Sequence, residues 1–268
     1  MKIIDIHTHI FPDMIADGAI KFLEEEANTK AFHNGKADGL RKSMKEAGIS
    51  LSVQHPVATK PSQVRSINDW AKNYIKISED ILSFGGMHPE YKDIKGEIKR
   101  MKEAGFKGYK LHPEYQKFYP DDPAVFPMYE ATIDNDLMIL FHTGEDIGIK
   151  PPYFSTPERM RNLLKIFPQL KMIYAHMGGW MLWDEVEKLI IGENVFLETS
   201  YTLGLISDER FMRMVRNHGI ERVLFGTDSP WRSQKDEVEK ILSLPFTDAE
   251  KERLLYKNAL NLLGLVNV

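Results

Sequence analysis

Short apolar runs recur along this chain of 268 residues, and at least one helical stretch separates each run from the next. Near-continuous apolar strands that alternate with helices are typical of a parallel sheet covered by helices. Eight such units favour closure of the sheet into a barrel. The predicted strands lie within residues 1–12 and at residues 49–53, 81–86, 106–112, 137–141, 171–175, 195–199 and 222–226. The helices predicted between them include a long one over about residues 61–78 and one over residues 180–191.

We therefore predict the α/β class, with residues 1–268 forming a single (β/α)8 TIM barrel that carries an extra C-terminal helix. The chain length is close to the roughly 250 residues typical of that barrel. The extra helix should begin at the capping box of residues 247–250 and run to about Leu263. An open doubly wound sheet is the competing fold, and the lack of a Gly-x-Gly-x-x-Gly turn after the first strand weighs against it.

The first apolar run contains a His-x-His pair, His7 and His9. Residues two apart on a strand point to the same face, so both imidazoles should be aimed at one spot. Neutral imidazole is a good ligand for zinc-like ions, and fixing two donors on a stiff strand lowers the ordering cost of binding. The alternative interpretation is a surface strand on which two histidines alternate with apolar residues.

Further polar residues follow the later strands. His112, His142, His176 and Asp228 come at the ends of the predicted strands four, five, six and eight. Barrels of this kind carry their chemistry at the carboxyl ends of the strands, so we expect these side chains to meet the histidine pair there. Lys110 has the same parity as His112, which places its side chain toward the barrel interior.

Three residues in the loops beyond these strand ends are candidates for binding a substrate. Tyr153 follows the fifth strand, and Trp231 and Arg232 follow Asp228. They can line a pocket for a small carboxylated or ring-derived compound. Loop packing is the alternative for each of them, and for Arg232 a solvated charge is equally compatible with the sequence.

The composition argues against several classes of protein. The chain has no cysteine, which excludes disulfides, thiolate catalysis and sulfur ligation of a metal. A net charge of −4 argues against nucleic acid as a partner. No apolar run approaches the ~20 residues of a membrane span, and the run after Lys2 is too short for a signal peptide. We expect a soluble cytoplasmic protein that acts on a small-molecule substrate and binds neither nucleic acid nor membrane.

Four stretches of the sequence resemble the amidohydrolase superfamily, and within it the branch described as amidohydrolase 2 or aminocarboxymuconate-semialdehyde decarboxylase-like. They are IDIHTH, KLHP, the block from FHTGEDIG through PERMRNLLKIFPQLKMIYAHMGG, and VLFGTDSPW. They occur in this order over nearly the whole chain, and their co-occurrence is more specific than any one of them.

The resemblance implies a role for individual residues. By position, His7, His9, His142 and Asp228 would be metal ligands. His176 would be a catalytic imidazole beside the ion, or a further ligand. The resemblance also makes a homodimer reasonable.

The cofactor implied by this set is one divalent metal ion. Three imidazoles and one carboxylate suit Zn²⁺, and Mn²⁺, Fe²⁺ or Co²⁺ is compatible with the same donors. Some members of the superfamily bind a second ion through a carboxylated lysine. Lys110 is the candidate for that role here, and we favour a single ion. As a plain ammonium, Lys110 can instead pair with Asp5 or, like His112, contact an anionic substrate.

This ligand set favours a metal-dependent hydrolase that cleaves a C–O or C–N bond of a small molecule such as a lactone or amide. A metal lowers the pKa of a bound water to about 7, and Asp228 can take its proton while His176 polarises the scissile carbonyl. The first alternative is a metal-dependent lyase, a decarboxylase or hydratase of an unsaturated or aromatic carboxylic acid. The second, from another class, is a non-catalytic barrel that binds a metabolite.

Overall fold

The computed structural model describes residues 2–77 and 80–265. Strands and helices alternate along these residues, as the sequence predicts. The strands are β1 (Ile4–Thr8), β2 (Leu51–Gln54), β3 (Ile81–Ser83), β4 (Gly85–Gly86), β5 (Gly108–Leu111), β6 (Met138–Phe141), β7 (Lys171–Tyr174), β8 (Phe196–Glu198) and β9 (Val223–Leu224).

The helices fall between these strands. They are α1 (Asp13–Glu26), α2 (Ala37–Ala47), α3 (Val64–Ile77), α4 (Ile94–Ala104), α5 (Pro113–Gln116), α6 (Phe126–Asp134), α7 (Pro157–Ile166), α8 (Trp183–Leu189), α9 (Asp208–His218), α10 (Gln234–Ser243), α11 (Asp248–Glu252) and α12 (Asn258–Leu263). Within the described ranges, no helix has both the length and the apolar character needed to cross a membrane.

The elements form two compact units, of which the first comprises the described residues within 2–54, 80–82 and 198–265. Here β1 pairs in parallel with β2, and the chain that leaves β9 is hydrogen bonded along the other edge of β1. All five residues of β1 are buried. The helix α12 and the π-helical turn Arg253–Lys257 pack against β1 and β9, so the extra C-terminal helix belongs to this unit.

The second unit comprises the described residues within 55–77 and 83–197. Its strands pair in parallel in the order β4, β5, β6, β7, β8. Large side chains fill the space between strands and helices, among them Phe84, Tyr109, Tyr129 and Phe141, which are completely buried. The parallel register places the residues that follow β5, β6 and β7 at one edge of this sheet.

Two predicted elements differ from the structure. The strand predicted at residues 81–86 is interrupted at Phe84, which packs edge-on against the ring of His55. The helix predicted at residues 180–191 extends only from Trp183 to Leu189, and it cannot begin earlier because Met181 has a left-handed backbone conformation, with φ 61°.

Two further differences concern helix ends. The helix predicted at residues 61–78 begins with the 3-10 turn Pro61–Gln63, and its last residue, Ser78, lies outside the described residues. The terminal helix does begin at the predicted capping box and end at Leu263, but the π-helical turn Arg253–Lys257 divides it into α11 and α12.

Candidate metal centre and active site

The carboxyl end of β1 brings His7 and His9 to one spot, as strand alternation predicts. Their Nε2 atoms lie 3.1 Å apart, and the planes of the two rings meet at 69°. The side chain of His7 is 1% exposed, whereas that of His9 is 14% exposed. The pair therefore presents two imidazole nitrogens at a place that solvent reaches from the His9 side.

Asp228 joins this pair because the segment after β9 is hydrogen bonded to β1. The Asp228 N–H donates to the His7 carbonyl oxygen at 2.8 Å, and the His9 N–H donates to the carbonyl oxygen of Ser229 at 2.6 Å. Asp228 Oδ1 lies 3.0 Å from His9 Nε2 and 3.5 Å from His7 Nε2. Asp228 has a φ of 63°, a left-handed conformation that is costly for a residue other than glycine and that clusters at functional sites.

These three donor atoms fit one divalent ion. Ligand atoms about 2.1 Å from an ion stand roughly 3.0 Å apart at the corners of an octahedron and about 3.4 Å apart at those of a tetrahedron. The separations among His7, His9 and Asp228 are 3.0, 3.1 and 3.5 Å. Two imidazoles and a carboxylate are also donors that zinc and manganese accept.

Glu198, at the end of β8, fixes the orientation of the His7 ring. His7 Nδ1 donates to Glu198 Oε1 at 3.0 Å, and Ser200 Oγ donates to the same oxygen at 2.7 Å. A proton on Nδ1 leaves Nε2 as a lone-pair donor that faces His9 and Asp228. Glu198 was not predicted, because it lies 191 positions from His7; its one signal was a carboxylate within an apolar strand.

A glycine makes room for this buried carboxylate. A Cβ atom at Gly226 would lie 2.2 Å from Glu198 Oε2 and 3.0 Å from the Cβ of His7. Any side chain at Gly226 would therefore displace Glu198 or His7. The contact explains why the chain has glycine two residues before Asp228.

A second buried carboxylate, Asp5, ties β1 to the loop that carries Asp228. Asp5 accepts hydrogen bonds from the N–H and the hydroxyl of Thr227, at 3.1 and 2.6 Å, and from Gln234 Nε2 at 2.8 Å. Burial raises the pKa of Asp5 to about 6, and the hydrogen bonds oppose this shift. These bonds fix the residue that precedes Asp228.

The second unit holds another group of imidazoles, at the ends of β5, β6 and β7. His142 Nε2 lies 2.9 Å from the carbonyl oxygen of Glu145, and His142 Nδ1 lies 3.1 Å from His176 Nε2. A carbonyl oxygen only accepts, so the proton of His142 is on Nε2, and its Nδ1 accepts from His176. Both ring nitrogens of His142 thus have a hydrogen-bond partner.

His112 stacks on His142, with ring centroids 4.1 Å apart and planes 13° from parallel. It also stacks with Tyr115, and its Nε2 lies 3.2 Å from Asp146 Oδ2. One donor atom each of His112, His142 and Asp146 lies within 4.8 Å of the others. However, nearly parallel rings direct their in-plane lone pairs along parallel lines, which does not suit chelation of one ion.

A loop of residues 144–155 carries Asp146, and Glu114 on α5 holds the end of this loop. Glu114 Oε1 accepts hydrogen bonds from the N–H groups of Phe154 and Ser155, at 2.8 and 2.9 Å, and from the Ser155 hydroxyl at 3.0 Å. Burial raises the pKa of Glu114. Neither Asp146 nor Glu114 was predicted as a site residue.

Besides His112, two of the predicted substrate contacts lie in the second unit. Lys110 is buried on β5, where it pairs in register with Gly86 and Leu140. Tyr153 is half-buried in the loop of residues 144–155 and hydrogen bonds to Glu145. Their roles in substrate binding stay predictions.

The other two predicted contacts follow Asp228 in the first unit. Trp231 is half-buried, and its N–H donates to the carbonyl oxygen of Asp228 at 2.9 Å. The guanidinium of Arg232 pairs with the buried Glu237, with nitrogen–oxygen distances of 2.8 and 2.6 Å. Part of Arg232 is thus engaged in loop packing, and a substrate contact by either residue stays a prediction.

Comparison with known proteins identifies the family. A family model described as Amidohydrolase matches residues 4–265. The chain belongs to the amidohydrolase family. The resemblance inferred from the sequence motifs is therefore confirmed.

A curated relative of the chain is the 2-amino-3-carboxymuconate-6-semialdehyde decarboxylase of Caenorhabditis elegans. The two sequences are 28% identical over 123 residues, which are 40% of this chain and 31% of the relative. The matched stretch thus spans about a third of the length of that relative.

Solved structures show the fold of this amidohydrolase. A TIM-barrel protein of Bordetella bronchiseptica matches 98% of this chain and 99% of its own, with a TM-score of 0.81 and 20% identity. A second structure is that of a dihydroxybenzoic acid decarboxylase of Polaromonas sp., with bound manganese and the inhibitor 2-nitroresorcinol. The match covers 100% of this chain and 98% of that one, with a TM-score of 0.76 and 18% identity. The chain has the (β/α)8 TIM-barrel fold that its sequence predicts.

Proposed function

We propose that this amidohydrolase is a metal-dependent decarboxylase that acts on a small unsaturated or aromatic carboxylic acid. The observation that carries the proposal is the triangle of donor atoms from His7, His9 and Asp228. The decarboxylases among its relatives and structural neighbours support lyase chemistry over hydrolysis.

The proposed cofactor is one divalent ion held by His7, His9 and Asp228. His142 stays the proposed fourth ligand, which requires one of its ring nitrogens to exchange its hydrogen bond for the ion. The manganese in the structural neighbour favours Mn²⁺ beside Zn²⁺ as the ion to test. When bound, such an ion acts as a Lewis acid on a substrate oxygen.

The residues around this set have distinct proposed roles. Glu198 holds the proton on His7 Nδ1 and so keeps Nε2 directed at His9 and Asp228. His9 and Asp228, each 14% exposed, lie on the side from which a substrate reaches the centre. The strained backbone of Asp228 orients its carboxylate toward the two imidazoles.

Decarboxylation breaks the bond between a carbon and its carboxylate, which leaves as CO₂, and the electron pair on that carbon then takes up a proton. We assign the movement of this proton to Asp228 at Oδ2, because Oδ1 faces the imidazoles. His176, buried and hydrogen bonded to His142, is the proposed second proton carrier. Lys110 and His112 are the proposed contacts to the carboxylate of the substrate.

A hydrolase of a lactone or amide is the second candidate. The same donor set can activate water, and the description of the matched family favours this chemistry. The two candidates differ in their products, since only the decarboxylase releases CO₂.

The test is a product assay on purified protein freed of metal with a chelator and then reloaded with Mn²⁺ or Zn²⁺. We expect metal-dependent CO₂ release from members of a panel of hydroxybenzoates and unsaturated acids, and no opening of lactones or cleavage of amides. Asp228→Asn should abolish both metal retention and CO₂ release.

Asp136→Asn is the matched control, since Asp136 also has a left-handed backbone, with φ 48°, but is exposed and pairs with Lys171. It should retain metal and activity. Lactone or amide cleavage without CO₂ release would establish the hydrolase instead. A protein that retains no metal above background and still binds metabolites would be a non-catalytic barrel.

A further inference from the structure

His88 is a buried histidine of the second unit and lies two residues after the end of β4. The residue is only 4% exposed. Its Nδ1 accepts a hydrogen bond from the N–H of Glu90 at 3.2 Å, so the proton of the neutral ring is on Nε2. Burial lowers the pKa of His88, which keeps the ring neutral near pH 7. The side chain therefore presents a single donor, the Nε2–H group.

The Nε2–H group of His88 has no acceptor within residues 2–77 and 80–265. This nitrogen is not one of the fully enclosed polar atoms that lack a partner, so part of the accessible surface of His88 belongs to it. The bond from Glu90 and the burial of the ring fix the direction of the group. A donor that is held in place and open on one side is prepared to bind a ligand.

The register of the sheet places His88 beside His112. Gly86 on β4 pairs with Lys110 on β5, so two residues further on His88 aligns with His112. Neighbouring parallel strands are about 4.8 Å apart, and register partners point to the same side of the sheet. His142 is aligned with His112 in the same way on β6, and there the two rings stack. We call these three histidines the histidine row.

Gln116 on α5 fixes the spacing within the histidine row. Its Oε1 accepts a hydrogen bond from the N–H of His112 at 2.9 Å. Its Nε2 donates to the carbonyl oxygen of Met87 at 2.6 Å and to the carbonyl oxygen of Ala58 at 2.8 Å. One buried amide thus holds both the backbone of His112 and the residue before His88, which keeps the two imidazoles adjacent.

The members of the histidine row differ in what their ring nitrogens contact. The N–H of Tyr115 donates to His112 Nδ1 at 3.4 Å, and His112 Nε2 lies 3.2 Å from Asp146 Oδ2. Both ring nitrogens of His142 also have a partner within the protein. In the described part of the chain, His88 is the member of the row whose donor is left for a ligand.

We propose that the Nε2–H group of His88 donates a hydrogen bond to a carboxylate oxygen of the substrate. The inference rests on the proposed decarboxylase function, in which Lys110 and His112 contact that carboxylate. A negatively charged oxygen is the acceptor that suits this position, because the buried Lys110 lies two residues before His112 on the same face of β5. His88 thus extends the contacts to the carboxylate from β5 to β4.

This hydrogen bond should act on the bound acid more than on the transition state. Negative charge leaves the carboxylate as the carbon–carbon bond breaks and neutral CO₂ forms, so the bond weakens along the reaction. Its loss should therefore raise KM and leave kcat undiminished. The strength of hydrogen bonds to charged groups corresponds to an increase of about 10- to 100-fold in KM.

Two substitutions of His88 separate ligand binding from a structural role. In His88→Asn the amide oxygen replaces Nδ1 and still accepts from the N–H of Glu90, but the donor at Nε2 is lost. In His88→Gln the amide nitrogen replaces Nε2 as a donor, whereas the acceptor for Glu90 is lost. We expect KM to rise about 10- to 100-fold in His88→Asn and to return most of the way to the wild-type value in His88→Gln.

The measurement is steady-state CO₂ release by the metal-loaded protein, with the acid of the panel that the wild type decarboxylates fastest. KM does not depend on the concentration of folded enzyme, so partial unfolding of a variant does not change it. The control is His218→Asn, since His218 is also buried but ends α9 in the first unit. Its KM should equal that of the wild type.

The decarboxylated product supplies a second measurement. The product differs from the substrate by the loss of the carboxylate, so it cannot accept the proposed hydrogen bond. Its inhibition constant should therefore be the same for wild type and His88→Asn.

An unchanged KM in His88→Asn would overturn the proposal, and a KM raised only in His88→Gln would show that His88 supports the turn at Glu90 instead. An equal rise in the KM of the acid and in the inhibition constant of the product would also overturn it, since the bonded oxygen would then not belong to the carboxylate. A wild type that releases no CO₂ from any acid of the panel would overturn the proposed function and, with it, this inference.

Discussion

The two imidazole groups of this molecule contain similar donors in different arrangements. In the first unit, the rings of His7 and His9 meet at 69°, and their Nε2 atoms lie 3.1 Å apart. In the second, the rings of His112 and His142 are 13° from parallel, with centroids 4.1 Å apart. Both groups include an aspartate and lie at the carboxyl ends of strands.

The difference shows that residue type and strand position do not by themselves identify metal ligands. The angle between rings decides whether their lone pairs converge. The hydrogen-bond partner of one ring nitrogen decides whether the other nitrogen has a lone pair for an ion. In His7, Glu198 accepts from Nδ1 and so leaves the lone pair on Nε2. By both criteria the first group is prepared for an ion, whereas the second is a stacked and hydrogen-bonded network.

The largest expected effect comes from replacing one histidine in each group. His7→Ala should weaken metal binding by more than about 100-fold, since even the loss of a residue that only supports a ligand costs 10- to 100-fold. His112→Ala should leave metal affinity within about threefold of the wild type, as expected for a residue that binds no ion. Metal titration of the two purified variants measures both, and equal losses would erase the distinction between the two groups.

The next effect concerns the carboxylate behind His7. Glu198→Gln keeps an acceptor oxygen but removes the charge that stabilises the Nδ1 proton, so metal affinity should fall by about 10- to 100-fold. The comparison variant is Ser200→Ala, which removes a hydroxyl that donates to Glu198 and lies 3.2 Å from His7 Nδ1 but keeps the carboxylate, so its effect on metal affinity should be the smaller one. If competition with a chromogenic chelator gives the same metal affinity for Glu198→Gln and wild type, then Glu198 has only a structural role.

A smaller effect is expected in the second group. Glu114→Ala removes the acceptor that holds Phe154 and Ser155, so the loop of residues 144–155 should shift. We expect kcat/KM to fall by up to about 100-fold, because displacements of about 1 Å have effects of this size, while metal content stays unchanged.

The control for this variant is Glu97→Ala. Glu97 is also 2% exposed but binds Asn68 and Arg100 outside the candidate site. It should lower thermal stability without lowering kcat/KM of the folded fraction. The same loss of kcat/KM in both variants would show that Glu114 matters only for folding.

The smallest effect is on the pH dependence of stability. Burial raises the pKa of Glu237 to about 7 from 4.5, and its pairing with Arg232 opposes the shift. Between these values the folded state binds more protons than the unfolded state, so the free energy of unfolding should fall as pH rises from about 4.5 to 7, by at most about 3 kcal/mol.

Urea denaturation across this range tests the prediction. Glu237→Gln should flatten the decline, because the amide does not ionise. The exposed Glu239→Gln on the same helix should leave it unchanged. If the free energy of unfolding falls as steeply with pH in Glu237→Gln as in the wild type, then a group other than Glu237 causes the decline.

The sequence predicts most of the fold because strand and helix periodicities are local. The eight predicted strands are all present, and the histidines expected at strand ends lie there. The break of the third strand at Phe84 was not predicted, because it depends on packing. A Cβ at the next residue, Gly85, would meet Met101 Sδ at 2.5 Å, a contact with a distant helix that no local pattern contains.

The site was predicted only in part for the same reason. Alternation along β1 is enough to bring His7 and His9 together. The roles of Glu198 and Asp146 depend on which distant segments meet and on the direction of each side chain. The strand positions of the candidate ligands can be read from spacing, whereas the residues that orient their side chains cannot.

The proposed function depends on one divalent ion held by the Nε2 atoms of His7 and His9 and by Asp228. The most direct test is an anomalous-difference map from a crystal of the Mn²⁺-loaded protein. We expect one peak about 2.0–2.3 Å from all three donors, and the same map shows whether His142 turns to join them. A peak between His112 and Asp146, or one that none of the three donors contacts, would contradict it.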